Sequence, residues 1–186
     1  MTTTIAAGER ATTTTWTIDP AHSVAGFGVR HLMISTVKGR FGSVQGTVEI
    51  DFDDVETAEI DVTIDAAGID TQVEKRDEHL RSPDFFDVER FPEIRFVGDS
   101  VRRTGDAELE VRGRLTIRDV TREVTLRVEE LGTAQDPWGG HRAGYSASAK
   151  IDRKEFGLTW NQALETGGVL VADEVKIELE VQLVRQ

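Results

Sequence analysis

The chain of 186 residues contains no cysteine. Without thiols it can form no disulfide framework, no thiolate metal site and no cysteine nucleophile. The sequence also lacks any run near the roughly 18 consecutive apolar residues that a membrane-spanning helix needs. These two absences exclude disulfide-rich scaffolds and helical membrane proteins, and at this length we expect one compact, soluble domain.

Basic residues are also scarce. The chain has 22 Lys and Arg against 34 Asp and Glu, a formal net charge of −12. Proteins that bind nucleic acid through its phosphates carry clustered basic residues, so we expect no nucleic-acid partner. The opening MTTTIAAGERATTTT has neither the basic start nor the apolar run of a secretory signal. We therefore expect a cytoplasmic protein.

Motifs for catalysis are missing too. The sequence has no G-x-S-x-G nucleophile elbow and no phosphate-cradling glycine loop. Its four histidines, His22, His31, His79 and His141, do not show the H-x-x-x-H spacing of a helical zinc site. Hydrogen-bonded roles at strand ends are the prediction for them. We therefore expect a binding protein rather than an enzyme, with no catalytic residue, no metal and no cofactor.

Strand-like alternation of apolar and polar residues is what the sequence has in abundance. In the first such segment Ala25, Phe27 and Val29 point one way, and the small or polar residues between them point the other. Residues 44–51 and 57–65 alternate in the same way and predict a hairpin. About eight such strands predict a sandwich or a closed antiparallel barrel, since each must bury one apolar face.

Glycines within the predicted strands bear on whether such a barrel is filled. Gly26, Gly28, Gly46 and Gly113 interrupt the apolar pattern. Glycine inside a strand marks a bend, a close approach of another backbone, or added room. A barrel of about eight strands can be filled by side chains or can hold one small ligand. The glycines leave both alternatives open.

The pattern changes to helical at residues 73–80, where Thr71 and Glu74 have the spacing of a capping box. An irregular, aromatic segment follows, with Phe85, Phe86 and Phe91. We expect these rings chiefly to anchor the helix to the core, with direct ligand contact as the alternative. Basic residues near these segments are compatible with a polar, partly cationic mouth, but for any single one of them we favour a scattered surface position. They are Arg30, Lys38, Arg40, Arg76 and Arg81.

Several separated segments together resemble one known family. They are DPAHSVAGFGVRHL, FGSVQGTVEID, HLRSPDFFDVERFPEIRF, GRLTIRDVTREVTL, KIDRKEFGLTW and GGVLVADEVKIELEV. In this order they resemble the YceI-like family of polyisoprenoid-binding proteins, from Trp16 to the C-terminus. We expect residues 1–14 to form a disordered, Thr-rich tail and residues 15–186 to form a YceI-like β-barrel domain.

The resemblance implies a mainly β fold, a lipocalin-like antiparallel β-barrel of about eight strands with a short covering helix. Its apolar interior would take a polyisoprenoid chain, as in an isoprenoid quinone. By motif position, Phe27 and Val29 would line the pocket. Our hypothesis adds a polar mouth at the ends of the first apolar strand. The expected ligand-binding residues are Phe27, Val29, His22, Arg30, His31, Phe41, Phe85, Phe86 and Phe91.

The function expected from these observations is to bind and sequester or carry a polyisoprenoid or a similar long-chain amphiphile. The alternatives are an enzyme that acts on an isoprenoid lipid and a filled structural barrel without a ligand. Homodimer formation, which the resemblance implies, and transient contact with a membrane are the further partner expectations.

Overall fold

The computed structural model describes residues 13–165 and 167–186. Most of the expected Thr-rich tail, residues 1–12, lies outside the described residues. No helix in the described part of the chain is long and apolar enough to cross a bilayer. The elements are β1 (Thr14–Ile18), β2 (Val24–His31), β3 (Ser35–Arg40), β4 (Val44–Asp51), β5 (Asp54–Asp65), α1 (Glu74–Arg81), β6 (Glu93–Arg103), β7 (Glu108–Ile117), β8 (Val120–Gln135), β9 (His141–Asp152), a 3₁₀ turn (Arg153–Phe156) and β10 (Val171–Arg185).

Eight of the strands close into an antiparallel barrel. Their order is β1-β4-β5-β6-β7-β8-β9-β10, and β10 pairs back to β1. The length of β10 allows it two neighbours on this side: Leu183 pairs with Ile18 of β1, and Leu179 pairs with Ala25 of β2. The β2–β3 hairpin therefore extends the sheet beside the ring. The predicted barrel of about eight strands is confirmed, and so is the short helix.

The local strand predictions follow the alternation of the sequence. The predicted hairpin is formed by β4 and β5, with Val48 opposite Ile60. Its turn is shorter than the gap between the two predicted segments, residues 52–56, because β5 already begins at Asp54. Ala25, Phe27 and Val29 all face the barrel interior, as predicted. A period of two residues is enough to assign these faces because it depends only on the extended backbone.

The two ends of the barrel differ. The helix end carries α1, the β2–β3 turn and residues 157–165 and 167–170, which lie between the 3₁₀ turn and β10. The opposite end carries the β8–β9 turn at residues 136–140 and is closed by well-buried apolar side chains. Trp16 lies there with only 4% of its surface exposed. Its ring packs edge-on against Phe52 at a centroid distance of 5.3 Å.

The predicted capping box of the helix is wrong. The N-cap of α1 is Val73, and no side chain caps the helix. Thr71 instead donates its backbone N–H to the buried Asp77 carboxylate at 2.9 Å, and its hydroxyl donates to the same oxygen. Gln72 has a φ of 63°, which turns the chain between Thr71 and the helix. Asp77 therefore takes the role that the sequence suggested for Glu74.

The strand glycines permit close approach of neighbouring strands. A Cβ at Gly113 would clash with the carbonyl oxygen of Val97 and with the ring of Phe96. A Cβ at Gly46 would clash with the backbone of Asp61 on β5. At these two positions the glycine allows a close approach of neighbouring atoms and does not add interior room.

An ion-pair network ties the opposite end together. Asp19, after β1, accepts hydrogen bonds from His22 Nδ1 at 2.9 Å and from Arg142 Nη1 at 2.7 Å. Arg142 also donates to Asp136 in the β8–β9 turn at 2.9 Å. The hydrogen bonds from His22 and Arg142 lower the pKa of Asp19 from 3.8 to about 2.

We predict that Asp19→Asn lowers the free energy of unfolding by about 1–2 kcal/mol at neutral pH. Because the folded-state pKa lies below the unfolded value, the stabilisation is present above about pH 4 and is lost as the pH falls towards 2. Urea unfolding of both proteins across this range measures it. A difference in stability that stays constant down to pH 2 would contradict the assignment.

Candidate functional site

The barrel encloses a cavity of about 460 Å³, lined by side chains from all ten strands. This volume lies within the usual range for small-molecule sites. Several cavity-facing residues are only partly buried, among them Phe27, Val29, Ile177 and Leu179. In a filled barrel such inward-pointing apolar residues would be covered by their neighbours. The interior is therefore a container with uncovered apolar walls.

Phe27 is held in the cavity wall by the residues around it. Its ring occupies the space above Gly39 on β3, where a Cβ would overlap the ring. The ring also packs against Phe41 at 5.4 Å, and Phe41 packs against Phe86 at 5.4 Å. This aromatic row joins β2 to the segment after α1, so the covering segment and the cavity wall are one packed unit.

Polar side chains are few in the cavity lining. They are His31, Arg76, His79, Tyr145, Arg153 and Trp160. Five of them lie at the helix end, and Tyr145 lies deeper in the barrel, opposite Val181. The cavity is thus apolar along its length and polar at one end, which is the polarity of an amphiphile with a head and a tail.

Arg76 carries a positive charge at this polar end. Its Nε donates to Thr71 Oγ1 at 2.7 Å, and its Nη2 donates to Thr71 O at 2.9 Å. These partners are neutral, and the ion pairs among the described residues do not include Arg76. The guanidinium is therefore oriented by Thr71 while its charge stays available to a ligand.

His79 and Trp160 close one side of the helix end. Their rings meet edge-to-face with centroids 4.6 Å apart, and Phe85 lies 5.1 Å from His79 and 5.4 Å from Trp160. His79 Nε2 is also hydrogen-bonded to Asp84 at 2.8 Å. This cluster joins α1 to residues 157–165, so the two parts of the chain that cover the cavity at this end are packed together.

Arg153 holds that segment in place from inside. It is 3% exposed and donates to the carbonyl oxygens of Ala172 and Trp160, each at 2.9 Å, and of Leu158. Burial lowers its pKa from the usual value for arginine. Its planar guanidinium can serve several carbonyls at once, which a lysine ammonium cannot do with the same geometry.

Tyr145 places a hydroxyl on the cavity wall. Burial raises its pKa to about 12, so the phenol is neutral at physiological pH. A neutral phenol can donate one hydrogen bond to a ligand or to water inside the barrel.

Six of the nine residues predicted to bind ligand line the cavity: Phe27, Val29, His31, Phe41, Phe85 and Phe86. Phe85 and Phe86 both pack against the covering segment and face the cavity. Their positions are therefore compatible with both predicted roles, anchoring of the helix and contact with a ligand. Their contact with a ligand stays a prediction.

The other three lie elsewhere. His22 pairs with Asp19 at the opposite end, and Arg30 lies on the outer face of β2, where it donates to Met33 O at 2.9 Å. Phe91 lies beneath the guanidinium groups of Arg90 and Arg118 at 5.0 and 5.8 Å. The structure does not bring His22, Arg30 and His31 together, because His22 and His31 are at opposite ends of β2.

Among the polar cavity residues, sequence reasoning missed four, His79, Tyr145, Arg153 and Trp160. The last two lie in KIDRKEFGLTW, a segment that carried the family resemblance, but its irregular pattern gave no sign of which side chains turn inward. Among the described residues, no group of three or more histidine, aspartate and glutamate side chains is arranged to hold a metal ion.

Comparison with known proteins agrees with this architecture. The family model for the YceI-like domain matches residues 16–183. A UPF0312 protein of Staphylococcus aureus strain USA300 is 41% identical over 170 residues, which cover 91% of this chain and 96% of that protein. The crystal structure of the Campylobacter jejuni YceI protein is 28% identical with a TM-score of 0.73, over 84% of this chain and 90% of that one.

A more distant structure shares the fold. It is a polyisoprenoid-binding domain from Saccharophagus degradans, 14% identical with a TM-score of 0.64, which covers 92% of this chain and 98% of that one. The overall fold is thus retained where little sequence identity is left.

Proposed function

Because the chain belongs to the YceI-like family, we propose that it binds a polyisoprenoid or a similar long-chain amphiphile in its barrel and carries it chemically unaltered. One observation supports this most directly: apart from the Tyr145 hydroxyl on its wall, the cavity is apolar up to a polar rim at the helix end. The binding function of the Saccharophagus domain supports the same ligand class.

The cavity walls account for affinity. Burial of about ten methylene equivalents at about 0.8 kcal/mol each contributes about 8 kcal/mol, which corresponds to micromolar binding before ordering costs. An apolar wall does not distinguish one tail from another of the same width, so the polar rim must select the head group. In this proposal the head lies near Arg76 and His31, and the tail extends past Tyr145.

An isoprenoid quinone is the natural ligand that we propose. Such a lipid resides in a bilayer, so its carriage within the cytoplasm includes transient contact with a membrane. Homodimer formation stays a prediction, which light scattering on the purified protein measures.

The experiment offers the protein a series of isoprenoid quinones with one head group and increasing tail length. Complexes are isolated, weighed by native mass spectrometry and extracted. We expect one ligand per chain, affinity that rises with tail length until the cavity is full, and extracted quinone identical to that supplied. A chemically changed quinone would indicate an enzyme instead, and failure to take up every member would refute the carrier proposal.

A substitution at the polar rim tests how the head group of the ligand is recognised. We predict that Arg76→Gln weakens binding of a prenyl monophosphate about tenfold, since a charge-assisted hydrogen bond is lost. Binding of the uncharged prenyl alcohol should stay within about twofold. Lys75→Gln, at the exposed neighbouring position of α1, is the matched control. Equal losses for both ligands would argue that Arg76 supports the fold rather than the head group.

A further inference from the structure

The turn between β2 and β3 exposes large apolar side chains. Met33 is 59% exposed and Ile34 is 80% exposed. The turn is closed by a hydrogen bond from Ile34 N–H to His31 O at 3.2 Å. Met33 and Ile34 therefore project from the end of the hairpin, which we call the tip (residues 32–34). Exposed apolar residues are common singly, but two adjacent ones at a protruding tip form a compact apolar surface.

The backbone of this turn is unfavourable for the residues that occupy it. Leu32 and Met33 have φ values of 52° and 59°, both in the left-handed region. A turn with two successive left-handed residues is normally occupied by Asn-Gly, because a Cβ is disfavoured there. Leu32 and Met33 therefore cost stability through backbone strain, and Met33 also exposes apolar surface. Their presence in this turn indicates a role other than stability.

The charge around the tip is distinct from that of the rest of the chain. Residues 20–48 contain no Asp or Glu, although the whole chain has 34. The same stretch carries Arg30 and Lys38, and also Arg40, whose charge is paired with Asp70 at 3.2 Å. Glu178 of β10 is the acidic residue that lies near Lys38. Arg30 donates to Met33 O at 2.9 Å, so its guanidinium lies beside the apolar tip. An apolar tip with a basic flank matches the two requirements for binding an anionic membrane surface.

The tip also adjoins the cavity. Leu32 N–H donates to Leu170 O at 2.9 Å, and both His31 and Leu170 line the cavity. A surface that binds the tip therefore faces the helix end, where the polar rim lies. Trp138 is 88% exposed but lies in the turn at the opposite end, where Asp136 contributes negative charge.

We propose that the β2–β3 turn, residues 32–34 with Arg30 and Lys38, docks on an anionic phospholipid bilayer and holds the cavity rim at its surface. The proposal rests on the proposed function, since it describes where the ligand is loaded and released. Met33 and Ile34 enter the boundary between head groups and acyl chains, while Arg30 and Lys38 contact lipid phosphates.

The test is co-flotation of the full chain with phosphatidylcholine vesicles that contain about one-third phosphatidylglycerol. The variant Leu32→Asn, Met33→Gly, Ile34→Thr should bind at least about tenfold more weakly, because the inserting side chains are gone. Its thermal stability should equal or exceed that of the parent, because Asn-Gly suits the left-handed backbone. Trp138→Ser, which removes a still more exposed apolar residue, should leave binding unchanged.

The basic flank gives an independent measurement. Arg30→Gln and Lys38→Gln should each weaken binding about fivefold, and added salt should reduce these differences. Vesicles of phosphatidylcholine alone should bind the parent protein more weakly. The proposal is overturned by a parent protein that does not bind the vesicles, by a turn variant that binds as tightly as the parent, or by dependence on Trp138.

Uptake of isoprenoid quinone from detergent solution separates this proposal from the proposed function. The turn variant should take up quinone from detergent as the parent does but should load from vesicles more slowly. If the protein binds vesicles but takes up no quinone, the carrier function is refuted and the docking proposal is still supported.

Discussion

Replacement of Ala147 by tryptophan is expected to abolish ligand binding while the barrel stays folded. Ala147 lies at the centre of β9, between Val128 of β8 and Leu179 of β10, and its side chain lines the cavity. A tryptophan there occupies a large part of the 460 Å³ available. Because the tail must then compete with an indole ring for the same space, affinity should fall at least about a hundredfold.

The neighbouring residue provides a matched control. Ser148 follows Ala147 on the same strand, so its side chain points to the outer face. Ser148→Trp adds the same group outside the barrel and should leave affinity within about twofold. Native mass spectrometry with an isoprenoid quinone compares the two variants, and circular dichroism checks that both are folded. A ligand retained by Ala147→Trp would place the binding site outside the barrel.

Arg153→Met is expected to cause a large loss of stability, about 3–5 kcal/mol in the free energy of unfolding. The guanidinium satisfies the backbone carbonyls of Leu158, Trp160 and Ala172, and methionine leaves these groups without their donor. Urea denaturation measures the loss.

Lys154→Gln is the control for Arg153, because it removes a positive charge at the next position without touching these carbonyls. The Lys154 side chain is about half exposed and pairs with Asp173 at 2.9 Å. Such a pair contributes up to about 1 kcal/mol. A loss for Arg153→Met no larger than for Lys154→Gln would show that the carbonyls are satisfied without the guanidinium.

Sequence periodicity predicted the strands and much of the cavity wall, but it left a sandwich and a closed barrel open, and the resemblance to the YceI-like family favoured the barrel. Ala25, Phe27 and Val29 could be assigned to one face because alternation is a property of the extended chain itself. The hairpin of β4 and β5 followed from two alternating segments with a short connection. These inferences use only local geometry, and the structure confirms them.

The rim could not be inferred in the same way. His22 and His31 flank one strand in the sequence. They therefore lie at opposite ends of the barrel, and of the two only His31 lines the cavity. Arg153 and Trp160 depend on how an irregular segment crosses the barrel end, which tertiary packing determines. Thr71 failed as a helix cap for the same reason: the buried carboxylate of Asp77 provides it with a partner that spacing does not reveal.

The most direct test of the central claim is native mass spectrometry of the protein purified from its own host, followed by organic extraction and identification of what is released. We predict one long-chain prenyl lipid per chain, unchanged after prolonged incubation with the protein. A protein that emerges empty and then takes up no isoprenoid quinone would contradict the claim that the cavity is a lipid-carrying site.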